Sequence, residues 1–235
     1  GMIPAGLIGV GIERLCAPVG KIQSDAPENH TLSLGLKLGV FISTFAKLGR
    51  NKLSIILEEP YADVGIWIEQ LVAESTGKNN TGIIPVIGEP RVSDSMFHTD
   101  RTFVLIGEDR FWLQNYAETL NQLGHPVFVR QISDPYQLGI LCFEWETAVA
   151  IACAELGVNP FDQPGVQATK DSTVRILTGL GESQILQSGG NNLTLKELLS
   201  SSRRGNYIAI MAFLPETSGL NLQIQKLRSK IIADY

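Results

Sequence analysis

Short aliphatic runs that alternate with helical patterns constrain the fold of this chain more than any other feature. Runs this short and rich in β-branched residues are typical of strands buried on both faces of a parallel sheet. Because helical patterns separate them, the sequence predicts an α/β fold: a mainly parallel, doubly wound sheet of the flavodoxin-like type in a three-layer sandwich. Ligands are expected at the carboxyl ends of the strands in such a fold. The runs are LSIILEE at 53–59, IIPVIGE at 83–89, TFVLIG at 102–107 and HPVFVRQI at 125–132.

Apolar residues at helical spacing fill the intervals between these runs. Residues 31–48 are predicted as an amphipathic helix despite their glycines, and a second helix is predicted from Pro60 to about Thr76. A more polar helix is predicted near 110–123. The stretch 143–158 has its apolar residues on one side, which predicts a helix laid against the core.

The helix predicted at 143–158 leads into a polar turn and then a further helix. Residues 159–161 read Asn-Pro-Phe and predict the turn, and Asp162 is expected to cap the helix that follows. Gln163 would lie at the mouth of that helix, where free backbone N–H groups favour an oxygen-rich ligand. Lys170 follows about two turns later. On geometry alone, a capped helix-turn-helix with a solvated lysine is the commoner explanation.

A second candidate stretch closes the helix predicted at 60–76. It contains Glu74, Ser75, Gly77 and Lys78. A carboxylate in the last turn faces the negative end of the helix dipole, which disfavours its ionised form when it is also partly buried. Such a group suits a general base working near neutral pH. On position alone, an exposed glutamate without a chemical role is the commoner case.

Composition and charge restrict the class of protein. A chain of 235 residues with 44% hydrophobic content can bury one substantial core or two small ones. A net charge of -5 without a long basic run argues against nucleic acid and anionic membrane as main partners. Cys16, Cys142 and Cys153 lack CxxC spacing and are predicted as buried thiols of a reducing compartment. No signal peptide or spanning run is recognised, so a soluble, cytoplasmic protein is expected.

The two ends of the chain are predicted to lie outside the main domain. Residues 1–30 are interpreted as an N-terminal helix and connector, with a short apolar helix at 2–14 packed on the body. The glycines there do not form a dinucleotide loop, because no strand precedes them and the G-x-G-x-x-G spacing fails. The α/β domain is expected over 31–170. A C-terminal βα extension is expected over 171–235, with a strand at 206–214 and a helix at 217–233.

Three motifs carry a resemblance to a known family. FDQPGVQATK at 161–170 closely resembles the C-terminal signature of glucose-6-phosphate isomerases. QLVAESTGK at 70–78 resembles the Gln-x-x-x-Glu-Ser-x-Gly-Lys segment of the same family, and Gly-Glu-Pro at 88–90 recurs at a similar distance. The sequence of these motifs is most similar to the isomerase part of bifunctional transaldolase/glucose-6-phosphate isomerases. The resemblance covers nearly the whole chain and implies the second of two sugar isomerase (SIS) domains.

The resemblance also implies a chemistry, the interconversion of glucose 6-phosphate and fructose 6-phosphate through a cis-enediol. Glu74 would move the proton between C2 and C1, and Lys170 would assist ring opening or stabilise charge near the ring oxygen. Gln163 would position hydroxyl groups, and Ser75 and Gly77 would belong to the substrate-binding segment. Glu74 and Lys170 are therefore expected on opposite sides of one hollow. Neither a cofactor nor a metal is implied, and the partners would be a small sugar phosphate and a second SIS domain or a second copy.

The sequence departs from the family pattern at two points. The family histidine after Gly-Glu-Pro is replaced by Met96, and the nearest histidine, His98, is named only as a candidate catalytic residue beside the commoner interpretation of a loop histidine. The Ser/Thr-rich phosphate loop and the Gly-Gly-Arg turn of the family are absent, so this chain is expected to be weakly active or inactive alone. The alternatives are an SIS fold that binds a sugar phosphate without turnover, and a dimerisation module.

Overall fold

The computed structural model describes residues 2–24, 30–90, 97–179, 194–203, 205–215 and 217–234. It divides the chain into two compact units, one of Gly1–Glu89 with Ser93–Asp162 and one of Pro90–Val92 with Gln163–Tyr235. The elements in chain order are α1 (Met2–Leu7), α2 (Ile12–Ser24), α3 (His30–Lys47), β1 (Lys52–Leu57), α4 (Val64–Thr76), β2 (Ile84–Ile87), β3 (Arg101–Gly107), α5 (Arg110–Gln122), β4 (Val127–Gln131), α6 (Leu138–Leu156), α7 (Pro164–Gly179), α8 (Leu195–Ser201) and α9 (Ser218–Asp234).

The first unit contains a parallel sheet of four strands in the order β2-β1-β3-β4. All four predicted strands form, which confirms the α/β class and the doubly wound order. β1 and β2 end earlier than predicted, because the chain turns directly after them. The Tyr61 N–H donates to the Glu58 carbonyl at 2.9 Å, and Gly88 has a φ of 53°. α4 accordingly begins at Val64 and not at the predicted Pro60.

Alternate residues of the strands face two different helix layers. Leu53 and Ile55 of β1, like Val104 of β3, pack in one core with α3, α4 and α6. Phe103 and Leu105 of β3 point the other way and pack against α5. Because successive side chains of a strand point to opposite faces, the sheet lies between two helix layers, as the sequence predicted.

Glycines allow α3 and α6 to pack closely. A Cβ built on Gly35 would lie 2.9 Å from the Thr147 Cβ, and one built on Gly39 would lie 2.6 Å from the Ala148 carbonyl oxygen. Real Cβ atoms do not approach other atoms so closely, so glycine is required at both positions. The glycines that weaken the intrinsic helix propensity of α3 therefore serve its contact with α6.

α6 is the central helix of the unit and is longer than predicted, beginning at Leu138. Among the described residues, the stretch Pro135–Leu156 is long and apolar enough to cross a membrane by length and composition alone. It packs against α2, α3 and α4 and buries Trp145 completely, as a core helix does. Its one buried carboxylate, Glu144, accepts a hydrogen bond from Arg130 Nε at 2.7 Å. Burial raises the pKa of Glu144, and the guanidinium of Arg130 offsets part of that rise.

The second unit differs from its prediction. The strand expected at 206–214 is wrong: residues 206–213 carry no regular structure, and their apolar side chains, such as Phe213, are exposed. A strand needs a neighbour for its backbone N–H and C=O groups, and the described residues of this unit contain only helices. The final helix, predicted at 217–233, is confirmed as α9. α8 begins with a capping box, in which Thr194 and Glu197 satisfy each other's backbone N–H groups.

The N-terminal helices also differ from expectation. The predicted helix at 2–14 is broken at Gly9, whose φ is 90°, into α1 and α2. α1 contacts α2 and buries none of its residues, whereas Arg14 at the end of the predicted helix lies over the ring of Tyr136, so the expected packing on the body is found at that end. Cys16 is exposed because it lies on the outer side of α2 near Met2, and its prediction as a buried thiol is wrong. Cys142 is half-buried and Cys153 is buried.

Substitution of Gly39 by alanine should destabilise the first unit. The added Cβ would meet the Ala148 carbonyl oxygen of α6, so the free energy of unfolding should fall by about 1–3 kcal/mol, the usual cost of overpacking. Denaturant unfolding followed by tryptophan fluorescence measures the change. Gly20→Ala is the control, since a Cβ there meets nothing within 4 Å and should leave the free energy unchanged or slightly raised. Equal stability of the Gly39→Ala variant and the parent would contradict this packing.

Candidate functional site

The candidate glutamate, Glu74, lies in the last turn of α4. This turn is at the edge of the sheet where the strands begin, which is called the amino edge below. The helix begins at the opposite, carboxyl edge, where a Cβ built on Gly65 would lie 2.9 Å from Leu57 Cδ1 at the end of β1. It ends beside the start of β2, where Thr76 Oγ1 accepts a 3.0 Å hydrogen bond from the Ile83 N–H. Glu74 therefore lies at the amino edge. Ligands are expected at the carboxyl edge in a fold of this class, and the predicted catalytic carboxylate does not lie there.

The residues around Glu74 form an ordered helix end. Glu74 is exposed, and the Gln70 amide donates a 3.1 Å hydrogen bond to its carboxylate. Ser75 is buried, and its carbonyl accepts a hydrogen bond from the thiol of Cys153 on α6 at 3.3 Å. Gly77 follows as the C-cap of the helix, and its N–H donates a hydrogen bond to the Ala73 carbonyl. The partial burial that would favour a general base is therefore not found at Glu74 within the first unit.

A tight turn follows this helix end and holds the backbone of Lys78. Asn79 and Asn80 both have positive φ values, 55° and 59°, and Asn tolerates this left-handed region better than most residues. The turn is closed by reciprocal hydrogen bonds between the backbones of Lys78 and Thr81, at 3.1 and 2.9 Å. The direction in which the Lys78 side chain leaves the backbone is therefore fixed.

The side chain of Lys78 connects the two motifs. Its ammonium donates a hydrogen bond to the Asn159 carbonyl and lies 2.9 Å from Asp162 Oδ1. Only 4% of the side chain is exposed. The prediction that Asp162 caps the next helix is wrong, because α7 begins at Pro164 and the Asp162 carboxylate pairs with Lys78 instead. This contact was not predicted: one motif ends in Lys78 and the other contains Asp162, but neither pattern indicates that the two side chains pair.

The turn at 159–162 is ordered by contacts on both sides. α6 ends at Leu156, its cap Gly157 has a left-handed φ of 71°, and the Val158 N–H donates back to the Cys153 carbonyl at 2.9 Å. Asn159 Oδ1 then accepts a hydrogen bond from the Phe161 N–H at 3.0 Å, which confirms the predicted turn. Burial raises the pKa of the Cys153 thiol, and the positive charge of Lys78 lowers it in part.

Gln163 and Lys170 belong to the second unit, and Glu74 belongs to the first. Gln163 directly precedes the first residue of α7, as predicted, and its carbonyl accepts the Gln167 N–H at 3.3 Å. Both Gln163 and Lys170 are exposed. The expectation that Lys170 faces Glu74 across one hollow stays a prediction.

The other candidates are His98 and the Gly-Glu-Pro motif. His98 is exposed in the loop before β3, and Met96 lies outside the described residues. Glu89 of the Gly-Glu-Pro motif is half-buried and accepts hydrogen bonds from Arg101 at 2.8 Å and from the Ser54 hydroxyl at 3.1 Å, so it anchors the chain after β2. Among the residues that the structure describes, no group of three or more His, Cys, Asp or Glu could hold a metal ion.

The carboxyl edge between β1 and β3 is occupied by acidic side chains of the protein itself. Glu58 Oε2 accepts hydrogen bonds from the backbone N–H groups of Glu108 and Asp109, at 2.8 and 3.0 Å. Tyr61 is buried and donates its hydroxyl hydrogen to Glu108. Burial, this hydrogen bond and the nearby carboxylates raise the pKa of Tyr61 to about 12. This crevice, the usual ligand site of the fold, would repel a phosphorylated substrate.

Tyr61 should make the stability of the protein depend on pH above 10. Its pKa is about 12 when folded and near 10 when unfolded, so the folded state retains the proton through this window. The contribution of Tyr61 to the free energy of unfolding is therefore full below pH 10 and is lost as the pH rises through 12. Denaturant unfolding at pH 8 to 12 should show a steeper decline for the parent than for Tyr61→Phe. Parallel pH profiles would contradict this assignment.

Comparison with known proteins relates the chain to sugar phosphate isomerases. No protein-family model matches it. It is 24% identical to the glucose-6-phosphate isomerase of Clostridium novyi over 222 residues, which cover 75% of this chain and 48% of that enzyme. It is 26% identical to the glucose-6-phosphate isomerase of Exiguobacterium sibiricum over 218 residues, 75% of this chain and 49% of that enzyme. The chain thus spans about half the length of the curated relatives it matches.

A solved structure supports the fold. The crystal structure of a hypothetical protein from Thermus thermophilus matches with a TM-score of 0.59 and 22% sequence identity. The match covers 72% of this chain and 51% of that one. At this identity the match supports the α/β fold class alone.

Proposed function

We propose that this chain provides the catalytic glutamate of a glucose-6-phosphate isomerase, which interconverts glucose 6-phosphate and fructose 6-phosphate. The observation that carries the proposal is the similarity to such enzymes over about three quarters of the chain, together with the geometry of the motif that contains Glu74. The carboxylate ends an ordered helix and accepts a hydrogen bond from the Gln70 amide. Lys78 of the same motif binds the turn that precedes Gln163.

In the proposed reaction, Glu74 acts as the general base on the open-chain sugar. Its carboxylate removes the proton from C2, the electron pair of the broken C–H bond forms the C1=C2 double bond, and the electrons of the C1=O double bond move to O1, which takes a proton to give the enediol. The same carboxyl group then returns its proton to C1 while O2 loses its proton and becomes the carbonyl oxygen at C2, which gives the ketose without net consumption of acid or base. A positioned general base contributes about 10²- to 10⁴-fold in rate.

The other candidate residues would bind or polarise the sugar. Lys170 would assist ring opening or stabilise charge near the ring oxygen, and Gln163 would orient hydroxyl groups. Ser75 and Gly77 shape the helix end next to Glu74. His98 would assist ring opening if it takes over the role of the family histidine, whose position is Met96 in this chain.

The whole enzyme would require more than this chain, since the chain spans about half the length of the relatives it matches. The described carboxyl edge between β1 and β3 is acidic, so we propose that a second SIS domain or a second copy supplies the phosphate contacts and closes the exposed Glu74 site. A coupled assay of the 235-residue chain alone should then show weak turnover or none. A cytoplasmic location and fusion to a transaldolase are the proposed context.

Replacement of Glu74 by glutamine tests the proposal. The reaction in D2O should incorporate deuterium at C1 of fructose 6-phosphate, detected by NMR, in the longest natural polypeptide that contains this sequence. Glu74→Gln should lower this incorporation by about 10²- to 10⁴-fold, because the amide cannot accept the proton. Glu69→Gln, on the same helix but outside the motif residues, is the matched control and should leave the rate unchanged.

Two results would contradict the proposal. Retained exchange in the Glu74→Gln variant would show that another group moves the proton. Binding of glucose 6-phosphate without exchange in the parent protein would favour the alternative function, an SIS fold that binds a sugar phosphate without turnover.

A further inference from the structure

We propose that Lys78 is a positioning residue for the isomerase site. Its buried ammonium holds the turn at 159–162 and thereby sets the position from which the chain continues to Gln163. This inference rests on the proposed function. Lys78 touches neither the reacting carbons nor the proton in the proposed mechanism, and it acts through the turn that it binds.

Burial of the lysine makes its two contacts obligatory. A buried ammonium without partners costs several kcal/mol, so the side chain is retained in the interior only by groups that accept its hydrogens. Those groups are the Asn159 carbonyl and the Asp162 carboxylate. Both lie in the turn between α6 and α7. The turn cannot move away from the end of α4 without leaving the charge of Lys78 buried and unpaired.

Both ends of this contact are held by further bonds. On one side, the Asn79–Asn80 turn fixes the backbone of Lys78 through its hydrogen bonds with Thr81. On the other, the 159–162 turn is held by the helix cap at Gly157 and by the side chain of Asn159. Lys78 therefore joins two segments that are each held by further hydrogen bonds. The residue directly beyond Asp162 continues the chain from this turn.

Gln163 is that residue. It is joined to Asp162 by one peptide bond, so the position of Asp162 restricts where the Gln163 backbone begins. A displacement of a binding group by about 1 Å can cost up to about 100-fold in rate. Loss of the Lys78 contact would loosen the start of α7 and reduce catalysis while Glu74 stays in place.

Lys52 offers a matched comparison at the same edge of the sheet. Its side chain is 7% exposed and its ammonium lies 3.2 Å from Asp100 Oδ2, so it is another buried lysine paired with an aspartate. The ion pair between Lys52 and Asp100 joins the starts of β1 and β3. It does not involve the 159–162 turn. If both buried lysines served only the stability of the fold, their replacement should have the same effect on kcat/KM.

The test compares Lys78→Met with Lys52→Met in the longest natural polypeptide that contains this sequence, at a temperature where every variant is folded. Both variants should lower the thermal midpoint. Only Lys78→Met should lower kcat/KM per folded molecule, by about 10- to 100-fold and mainly in kcat, since the pre-ordered site is lost. Equal kcat/KM in Lys78→Met and the parent, or equal losses in the two lysine variants, would overturn the proposal.

Asp162→Asn provides a second variant that keeps the fold. The Asp162 side chain is 54% exposed, so an amide is tolerated there, yet it removes the charge that faces Lys78. The proposal predicts a smaller loss of kcat/KM than in Lys78→Met. The double variant should then be no worse than Lys78→Met alone, because both changes act through one contact. Losses that multiply would overturn the proposal.

Hydrogen exchange separates this inference from the proposed function. Amides of residues 159–163 should exchange faster in Lys78→Met than in Lys52→Met, whether or not the protein turns over a sugar. Unchanged exchange there would overturn the positioning role even in an active enzyme. An inactive parent protein with faster exchange in Lys78→Met would instead overturn the proposed function and leave the contact of Lys78 with the turn established.

Discussion

Buried polar contacts tie the end of α4 to the end of α6 at the amino edge of the sheet, and the arrangement of the candidate site depends on them. The thiol of Cys153 donates to the Ser75 carbonyl, and the ammonium of Lys78 binds the Asn159 carbonyl and Asp162. Each donor in this cluster has an acceptor on the other helix or its turn. Because an unpaired buried ammonium is so costly, these contacts hold the end of α4 against the 159–162 turn within the first unit.

The charges at the two edges of the sheet explain why the candidate site departs from the usual position in this fold. Doubly wound sheets generally bind ligands in the crevice at the carboxyl edge, where helix N-termini attract anions. Here the carboxylate of Glu58 already accepts the N–H groups at the start of α5, with Glu108 and Asp109 beside it. An anionic substrate would meet negative charge there. At the amino edge, the candidate residue Glu74 and its hydrogen-bond partner Gln70 are exposed on the first unit.

The sequence predicted the local structure of the first unit well, because strand and helix patterns depend on near neighbours. All four strands and the position of Gln163 before a helix were correct. Contacts between distant positions were not predictable. Lys78 and Asn159 lie 81 positions apart, and nothing in either motif shows that Asp162 binds a lysine rather than caps a helix. The strand expected at 206–214 failed for a related reason, since its propensity is local but its pairing is not.

The most direct test of the account is hydrogen exchange of the protein with and without glucose 6-phosphate, in the longest natural polypeptide that contains this sequence. The account predicts that the sugar phosphate slows exchange at residues 70–78 and 159–162, at the amino edge. Slower exchange at residues 58–61 and 107–109 instead, at the carboxyl edge, would contradict it.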